Sequence, residues 1–423
     1  MFTAEMTILG NTVPVWIFII FLIGALILIA SVVLIAYGLL NYRRYPQTQV
    51  KKKYCFLIPA KNEATVIADS IDSIKKLNYP QELITIYILA NNCTDQTVEI
   101  SKKLNAAVHQ LDDPTVKNVG TVINRFFKYI KEKYGSYYHY DGYIRLDAGN
   151  LVDEEYLNHL NDAFVQTGGV ITTYRANMNF NDGIVASLTC VFMSLSMLAF
   201  RMFSGWRASP IITGPGILLS AEVIDQMNGW NTSSISEDLE LSAIMVKIGI
   251  KVNFAYNAIF YDEQPNKIKY AFRQRLRWQT GKSQVFFKSW GSMIKKIFSK
   301  NGLSALFMTI GLIPMGFLTI LFTSVFAIYG IIIGVINSSW QPILMFGVLP
   351  IIFNIILAWF LAILVMLVER KRIKIDSFFK RIAYVFVFPL SLFMQSLADF
   401  VRVFIKVTWK PIPHGQIKDK EDT

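Results

Sequence analysis

A short acidic turn and a basic segment that ends in an aromatic residue are the two motifs best suited to chemistry. The turn is Ser236-Glu237-Asp238, and the segment further along the chain is Gln274-Arg275-Leu276-Arg277-Trp278. A carboxylate such as Asp238 can act as a general base, while fixed arginines stabilise a departing phosphate and an indole stacks on a flat ring. Together the two motifs suit transfer of a sugar from an anionic nucleotide carrier.

The same residues also fit a purely structural interpretation. Ser236 can cap a helix whose positive end favours Glu237 and Asp238, and the arginines can lie on a solvated helix face. The spacing of these residues fits both interpretations. The choice between them depends on whether the surrounding strands, helices and membrane segments would bring the two motifs together.

Composition and apolar runs indicate a membrane protein. The chain has 423 residues, 53% of them hydrophobic, and a mean hydropathy of +0.38, which is too apolar for an ordinary soluble enzyme. Residues 13–40 form an uncharged run that is long enough to span a bilayer and too long for a signal peptide. Further uncharged runs cover 303–336, 341–368 and 382–398. The run at 303–336 is longer than one helix needs, which leaves room for an interfacial part.

Basic clusters give the orientation. They flank the apolar runs, so the positive-inside rule places them in the cytoplasm, and with them the large middle region at about 50–300. The fourth run is basic at both ends, which favours an interfacial or re-entrant segment over a crossing helix. The formal net charge of +12 is explained by these flanks and by attraction to anionic lipid, and no motif suggests nucleic acid. The clusters are Arg43, Arg44, Lys51, Lys52, Lys53, Lys295, Lys296, Lys300, Arg370, Lys371, Arg372 and Lys374.

The sequence therefore predicts a multi-pass protein of the cell membrane with three parts. Residues 1–45 are an N-terminal transmembrane anchor, 46–300 a cytosolic domain, and 301–423 a transmembrane bundle with a short basic cytosolic tail. The three cysteines show no CxxC pairing, which argues against a disulfide framework, and the four histidines are too scattered for a His-based metal site.

Alternating strands and helices organise the cytosolic region. Apolar runs at 54–58, 84–89 and 143–146 predict buried parallel strands, while 63–77 and 96–104 predict helices. Polar clusters follow the three strands at 61–63, 91–95 and 147–150. Because ligands of open α/β sheets bind beyond the carboxyl ends of the strands, we expect a shared nucleotide crevice there.

The order of these motifs resembles a membrane-bound family 2 glycosyltransferase of the poly-N-acetylglucosamine, hyaluronan and cellulose synthase type. The resemblance covers about residues 50–290 and implies a GT-A-like α/β domain inserted between transmembrane helices. The matching motifs, in chain order, are Pro59-Ala60-Lys61-Asn62-Glu63, Asn92-Cys93-Thr94-Asp95, the strand ending in Asp147, Thr213-Gly214-Pro215-Gly216, Ser236-Glu237-Asp238 and Gln274-Arg275-Leu276-Arg277-Trp278.

The resemblance implies roles residue by residue. Asp238 would be the general base of a single inverting displacement, and Asp147 would bind Mg²⁺ or Mn²⁺. The acceptor would contact Thr213, Gly214, Gly216, Glu237 and Trp278. The UDP-sugar donor would contact Asn62, Glu63, Asn91, Asp95, Asp147, Gln274, Arg275 and Arg277. Phe404, Val407, Thr408 and Lys410 resemble a gating loop over the active site.

Two positions depart from the family pattern. Gly149 stands where the family has a second metal-binding Asp, and Asn91 stands where it commonly has Asp. Fewer carboxylates should weaken metal binding, although Asn150 or water could replace one ligand or Asp147 could hold the ion alone.

Three interpretations follow. The chain is an active polysaccharide synthase with altered donor or metal use, a noncatalytic relative that supports a partner, or a transferase that adds one sugar to a lipid-linked acceptor. The expected partners are a UDP-linked sugar, a polysaccharide or glycolipid acceptor and the lipid bilayer. Accessory or homo-oligomeric subunits stay open, as do the sugar and the linkage.

Overall fold

A computed structural model describes residues 5–8, 11–14, 26, 30, 32–116 and 118–405 of the chain. Near the N-terminus, β1 (Glu5–Ile8) pairs antiparallel with β2 (Asn11–Pro14), and residues 32–40 are helical. The apolar run predicted at 13–40 thus lies partly outside the described residues. Of the predicted gating loop, Val407, Thr408 and Lys410 also lie outside them.

The centre of the fold is an eight-stranded mixed sheet with the order β5-β4-β3-β6-β9-β8-β10-β7. Parallel pairing of β3 with β4 and β6 confirms the three predicted strands as neighbours. Strand β9 runs antiparallel to both β6 and β8, and β8 is parallel to β10. The strands are β3 (Tyr54–Ala60), β4 (Ile84–Asn91), β5 (Ala107–Leu111), β6 (Gly142–Arg145), β7 (Leu151–Val152), β8 (Val170–Asn177), β9 (Ile217–Ser220) and β10 (Val252–Asp262).

Helices cover both faces of this sheet because successive side chains of a strand point to opposite sides. From β3, Phe56 packs on one face with Ile71, and Leu57 packs on the other with Phe126. The result is the α/β architecture that the sequence predicts. The helices up to the C-terminal region are α1 (Ile67–Lys75), α2 (Thr97–Lys103), α3 (Val119–Tyr134), α4 (Tyr156–Thr167), α5 (Ile184–Gly205), α6 (Ala221–Gln226), α7 (Glu237–Ile248) and α8 (Ile268–Lys296).

Four helices form the C-terminal region: α9 (Gly302–Leu312), α10 (Met315–Ile336), α11 (Gln341–Val368) and α12 (Phe378–Val401). Pro314 separates α9 from α10, so the long run at 303–336 is divided into a short helix and a longer one. Helices α10, α11 and α12 are long and apolar enough to cross a membrane. The length and composition of α12 are compatible both with a membrane-crossing helix and with the predicted interfacial placement.

Helix α5 is a fourth segment long and apolar enough to cross a membrane, and it lies inside the region predicted to be wholly cytosolic. Its residues Leu188 and Val191 belong to one buried cluster with Ala362 of α11 and Phe388 of α12. Helix α5 therefore packs against the membrane-type helices and joins them to the sheet.

A buried polar cluster ties the C-terminal helices to the same sheet. Glu369, just after α11, accepts hydrogen bonds from the hydroxyls of Tyr174 at 3.0 Å and Tyr256 at 3.2 Å. The guanidinium of Arg372 lies 3.8 Å from the ring centroids of both tyrosines. Because Tyr174 is in β8 and Tyr256 in β10, this cluster anchors these two strands to the bundle.

Candidate active site

The first two polar clusters meet beyond the ends of β3 and β4. The Asn62 side-chain oxygen accepts from the Thr94 backbone N–H at 2.8 Å, and the Glu63 N–H donates to the Thr97 hydroxyl at 2.8 Å. Asp95 accepts from the Ala64 N–H at 3.0 Å. Burial alone would raise the pKa of Asp95, but hydrogen bonds donated by the Thr97 hydroxyl and backbone N–H and by the Ala64 N–H outweigh it, so the net shift is downward. Hydrogen bonds therefore join the two loops at the carboxyl-end edge of the sheet.

Asn91 closes this edge at the end of β4. Its side chain is 9% exposed, and its oxygen accepts from the Asn92 amide at 2.8 Å. An amide here supplies hydrogen bonds without the charge that a carboxylate would bring.

The third cluster is linked to the acidic turn through a buried arginine. Arg145, the last residue of β6, lies 2.9 Å from Asp147 and 2.8 Å from Glu237. Burial by itself would lower the pKa of Arg145, but the charges of Asp147, Glu237 and Asp238 raise it overall. Arg145 was not among the predicted site residues, although an arginine inside the apolar strand predicted at 143–146 indicates a buried charge that needs partners.

The acidic turn opens α7. Glu237 is the first residue of the helix, and burial raises its pKa, with Arg145 opposing the shift and the charge of Asp238 adding to it. Asp238 is half-buried, and its Oδ1 accepts from the Leu239 backbone N–H at 2.8 Å. Both side chains lie in the first turn of α7.

The glycine turn before β9 lies against Asp238. A Cβ placed on Gly214 would be 3.5 Å from Oδ2 of Asp238, and one on Gly216 would lie 2.3 Å from the Phe260 ring and 2.4 Å from the Thr173 hydroxyl. The two glycines have φ of +93° and +74°. Position 216 therefore admits only glycine without a shift of its neighbours, as expected for close backbone approach.

Two further charged residues, neither of them among the predicted site residues, hold this turn. Arg175 of β8 donates to the Thr213 carbonyl oxygen and lies 3.7 Å from Asp262 at the end of β10. Both strands end at the same edge as β6. The turn is thereby fixed to the neighbouring strands beside Asp238.

The basic segment lies within α8 and faces the acidic turn. Residues 274, 277, 278 and 281 share one helix face because they are three, four and seven positions apart. On that face, Gly281 packs against Ser236, whose Oγ lies 2.0 Å from the position of a hypothetical Cβ. Burial raises the pKa of Glu237 overall, and the charge of Arg277 is among the contributions that oppose this rise. The structure thus brings Gln274, Arg277 and Trp278 to the same side of α8 as the turn.

Arg275 departs from this arrangement and corrects the expectation of a donor contact. It lies two residues from Arg277 and so points about 200° around the helix. Its side chain is fully buried, donates to the Ser391 hydroxyl at 2.9 Å, and lies 5.2 Å from the Phe192 ring centroid. Arg275 therefore packs against α5 and α12, and we leave it out of the site.

The ligands available to a divalent cation are few. Among the described residues, no three His, Cys, Asp or Glu side chains come together as a metal site. Oδ1 of Asp147 is paired with Arg145, and Asn150 is engaged at both ends, with the Asp147 N–H and with Asp262. A side chain at position 149 would begin against Val66, 3.6 Å away. One carboxylate fits Mg²⁺ or Mn²⁺ only if substrate phosphates and water complete the shell.

The domain is an α/β fold around a mixed parallel and antiparallel sheet. A carboxylate, a cationic helix face and a glycine turn meet at one edge of this sheet, as in a GT-A-like glycosyltransferase domain. The sequence model described as "Glycosyl transferase family group 2" matches residues 144–400, more than half of the chain. The model "Glycosyl transferase family 2" matches residues 55–226. The chain belongs to the family 2 group of glycosyltransferases and is a glycosyltransferase, which confirms the resemblance.

Individual relatives are distant. The chain is 26% identical over 264 residues to "Probable glycosyltransferase YdaM" of Bacillus subtilis, covering 59% of this chain and 58% of that protein. It is 22% identical over 244 residues to the poly-beta-1,6-N-acetyl-D-glucosamine synthase of Staphylococcus epidermidis, covering 57% of each. The matches therefore span less than two thirds of these relatives.

Solved structures show a weaker likeness. The mannosyltransferase PcManGT from Pyrobaculum calidifontis, in complex with GDP-Man and Mn²⁺, has a TM-score of 0.44 and 13% identity, over 68% of this chain and 85% of that one. Residues 1–349 of S. aureus TarS, in complex with UDP-GlcNAc, have a TM-score of 0.38 and 13% identity, over 62% and 80%.

Proposed function

We propose that this glycosyltransferase moves a sugar from a UDP-linked donor to a growing β-linked polysaccharide. The observation that carries the proposal is the contact of Gly281 with Ser236, which sets the cationic face of α8 against the acidic turn. A base beside a cationic clamp has a use in glycosyl transfer and none in a scaffold.

In the proposed reaction, Asp238 takes the proton from the acceptor hydroxyl. The acceptor oxygen forms a bond to the anomeric carbon from the side opposite the diphosphate, and the bond to the diphosphate breaks with its electron pair leaving on UDP. This single displacement inverts the configuration. General-base assistance of this kind contributes about 10²–10⁴-fold in rate.

The remaining residues divide between donor and acceptor. Gln274 and Arg277 hold the diphosphate, because Arg277 presents a fixed positive charge where negative charge develops. Trp278 stacks beside the acceptor sugar. The acceptor site is completed by Thr213, Gly214, Gly216 and Glu237, and the nucleoside end is bound by Asn62, Glu63, Asn91 and Asp95.

Asp147 would hold Mg²⁺ or Mn²⁺ together with the donor phosphates. When bound, the cation neutralises charge on the leaving diphosphate. The ion pair with Arg145, at 2.9 Å, restrains the Asp147 carboxylate.

We further propose that the catalytic domain faces the cytoplasm and that the apolar helices place it in the cell membrane. Basic residues at the ends of the apolar runs support this orientation. Helix α5 and the cluster around Glu369 hold the domain close to the bilayer surface.

A panel of radiolabelled nucleotide sugars, incubated with membranes that contain the protein, tests the proposal. We expect label from one UDP-sugar to enter a ladder of long products on a gel. A single product one sugar longer than a lipid acceptor would replace the polymerase assignment. Incorporation only from non-uridine donors would remove the UDP assignment.

A further inference from the structure

An open pocket lies apart from the active site, where the helical segment 32–40 ends beside α5. It has a volume of about 670 Å³ and is lined by Leu40, Asn41, Tyr42, Arg43, Arg44 and Arg207. The proposed reaction uses none of these residues. We call this the collar pocket.

The elements next to the collar pocket pack closely against one another. A Cβ on Gly205 would lie 2.0 Å from the carbonyl oxygen of Gly38, so the two helices cross at backbone contact. The Trp206 indole donates to the Leu34 carbonyl at 2.9 Å and stacks on Phe307 of α9 at 5.3 Å between ring centroids. The pocket is therefore fixed by three elements at once.

Arg207 occupies this junction in an uncommon backbone conformation. Its φ is +58°, in the left-handed region that non-glycine residues seldom adopt. Such conformations persist when surrounding contacts impose them and are frequent at ligand sites. Here the contacts of Trp206 fix the chain just before Arg207, which lines the pocket.

The pocket concentrates positive charge that the protein does not neutralise. Arg43, Arg44 and Arg207 line it, and burial together with the charges of Arg43 and Arg207 lowers the pKa of the nearby Lys251. Within the described part of the chain, none of these four side chains forms an ion pair with a carboxylate. Mutual repulsion of this kind is relieved by a bound anion.

Apolar surface next to the cations indicates what kind of anion. Leu40 lines the pocket and is 74% exposed, and Val33, about two turns earlier on the segment 32–40, is 60% exposed. On α9, Leu303 is 44% exposed and lies one turn before Phe307, which stacks on Trp206. A ligand with a phosphate head and hydrocarbon tails matches cations flanked by such a surface, whereas a free nucleotide would leave the apolar part exposed. Trp206 between the two surfaces is typical of the membrane interface.

We propose that the collar pocket is a specific binding site for the phosphate-bearing headgroup of an anionic membrane lipid. The lipid would occupy the junction of the N-terminal helix with α5 and α9 and hold the catalytic domain against the bilayer. The inference depends on the chain lying in a membrane and is independent of the sugar that is transferred.

Native mass spectrometry of the full chain tests the site without measuring activity. The protein is released from mixed micelles with equal amounts of phosphatidylglycerol and phosphatidylcholine, and retained lipids are counted. We expect one phosphatidylglycerol to be retained at least tenfold over phosphatidylcholine, and the triple variant Arg43→Gln/Arg44→Gln/Arg207→Gln to lose this preference.

A matched control removes equal charge from another basic cluster near the membrane helices, as Lys295→Gln/Lys296→Gln/Lys300→Gln, and should keep the preference. Equal loss in both triple variants would mean diffuse surface attraction and would overturn the site. Displacement of the lipid by millimolar inorganic phosphate or UDP would assign the pocket to a free phosphate instead. If the pocket triple variant does not fold, Arg44→Gln alone must lower retention and Arg44→Lys must restore it.

Discussion

Arg145 and Glu237 form an ion pair of 2.8 Å between the last residue of β6 and the first residue of α7, with side chains 5% and 11% exposed. The same guanidinium lies 2.9 Å from Asp147. One buried cation thus links the carboxylate on the donor side of the proposed site to the turn that carries Asp238.

Glu237→Gln should lower stability because it removes one partner of this buried pair. Breaking a buried ion pair costs about 3–5 kcal/mol, and we expect a value near the lower end since Arg145 keeps Asp147. Thermal unfolding in detergent measures the loss. Arg125→Gln breaks the exposed pair with Asp113, at 3.5 Å, and should leave the unfolding temperature unchanged. Equal effects of the two substitutions would contradict a special role for burial.

Asp238→Asn should reduce turnover by at least about 10²-fold while leaving UDP affinity unchanged, because the amide cannot take the acceptor proton. Turnover is followed with the radiolabelled donor and affinity by isothermal titration. Glu222→Gln is a suitable control, since α6 begins next to Ser220, which pairs with Gly142 at the opposite edge of the sheet. Retained turnover in Asp238→Asn would remove this residue as the base.

The sequence was sufficient for the strand–helix–strand frame and for the meeting of the polar clusters. Both follow from local pattern, because apolar runs specify buried strands and parallel neighbours end at the same edge. The family resemblance pointed to Gly216, but its positive φ and its close contacts with Phe260 and Thr173 come only from the fold.

The sequence did not reveal which residues far apart in the chain contact each other in the fold. The role of Arg145 depends on Glu237, which lies far along the chain and meets it only in the folded sheet. Arg275 was misassigned because the motif at 274–278 was treated as one clamp, whereas a continuous helix divides it between two faces. Helix α5 was missed as an apolar segment because it lies inside the region assigned to the cytosol.

Arg277 and Arg275 lie on different faces of α8, so substituting each in turn compares a proposed donor contact with a buried structural contact. Arg277→Gln should weaken UDP binding by about 10–100-fold, the loss expected when a hydrogen bond to a charged group is removed. Arg275→Gln should leave UDP affinity within about a factor of two and lower the unfolding temperature, because its guanidinium is bonded to Ser391. Isothermal titration and thermal unfolding measure both quantities on each variant. A larger loss of affinity in Arg275→Gln would reverse the assignment of the faces.

Gly216→Ala should disrupt the turn beside Asp238, because its Cβ would overlap Phe260 and Thr173. Gly135→Ala is the matched control: φ is +73° there, close to the +74° of Gly216, but nothing lies within 4 Å of its Cβ. The control should cost only the left-handed backbone penalty of about 1–2 kcal/mol. Gly216→Ala should cost a further 1–3 kcal/mol, approximately, from overpacking, and should also lower turnover. Equal losses would show that the turn has room for a side chain.

Metal binding should depend on the donor, because Asp147 alone offers too few ligands and Oδ1 is already paired with Arg145. Titration of Mn²⁺, followed by loss of the free-ion electron paramagnetic resonance signal, should show little binding to the protein alone and clear binding once UDP is added. Asp147→Asn should abolish the UDP-dependent part, whereas Asp182→Asn, an exposed carboxylate, should preserve it. Stoichiometric Mn²⁺ binding without UDP that survives Asp147→Asn would place the cation elsewhere and leave Asp147 to its pairing with Arg145.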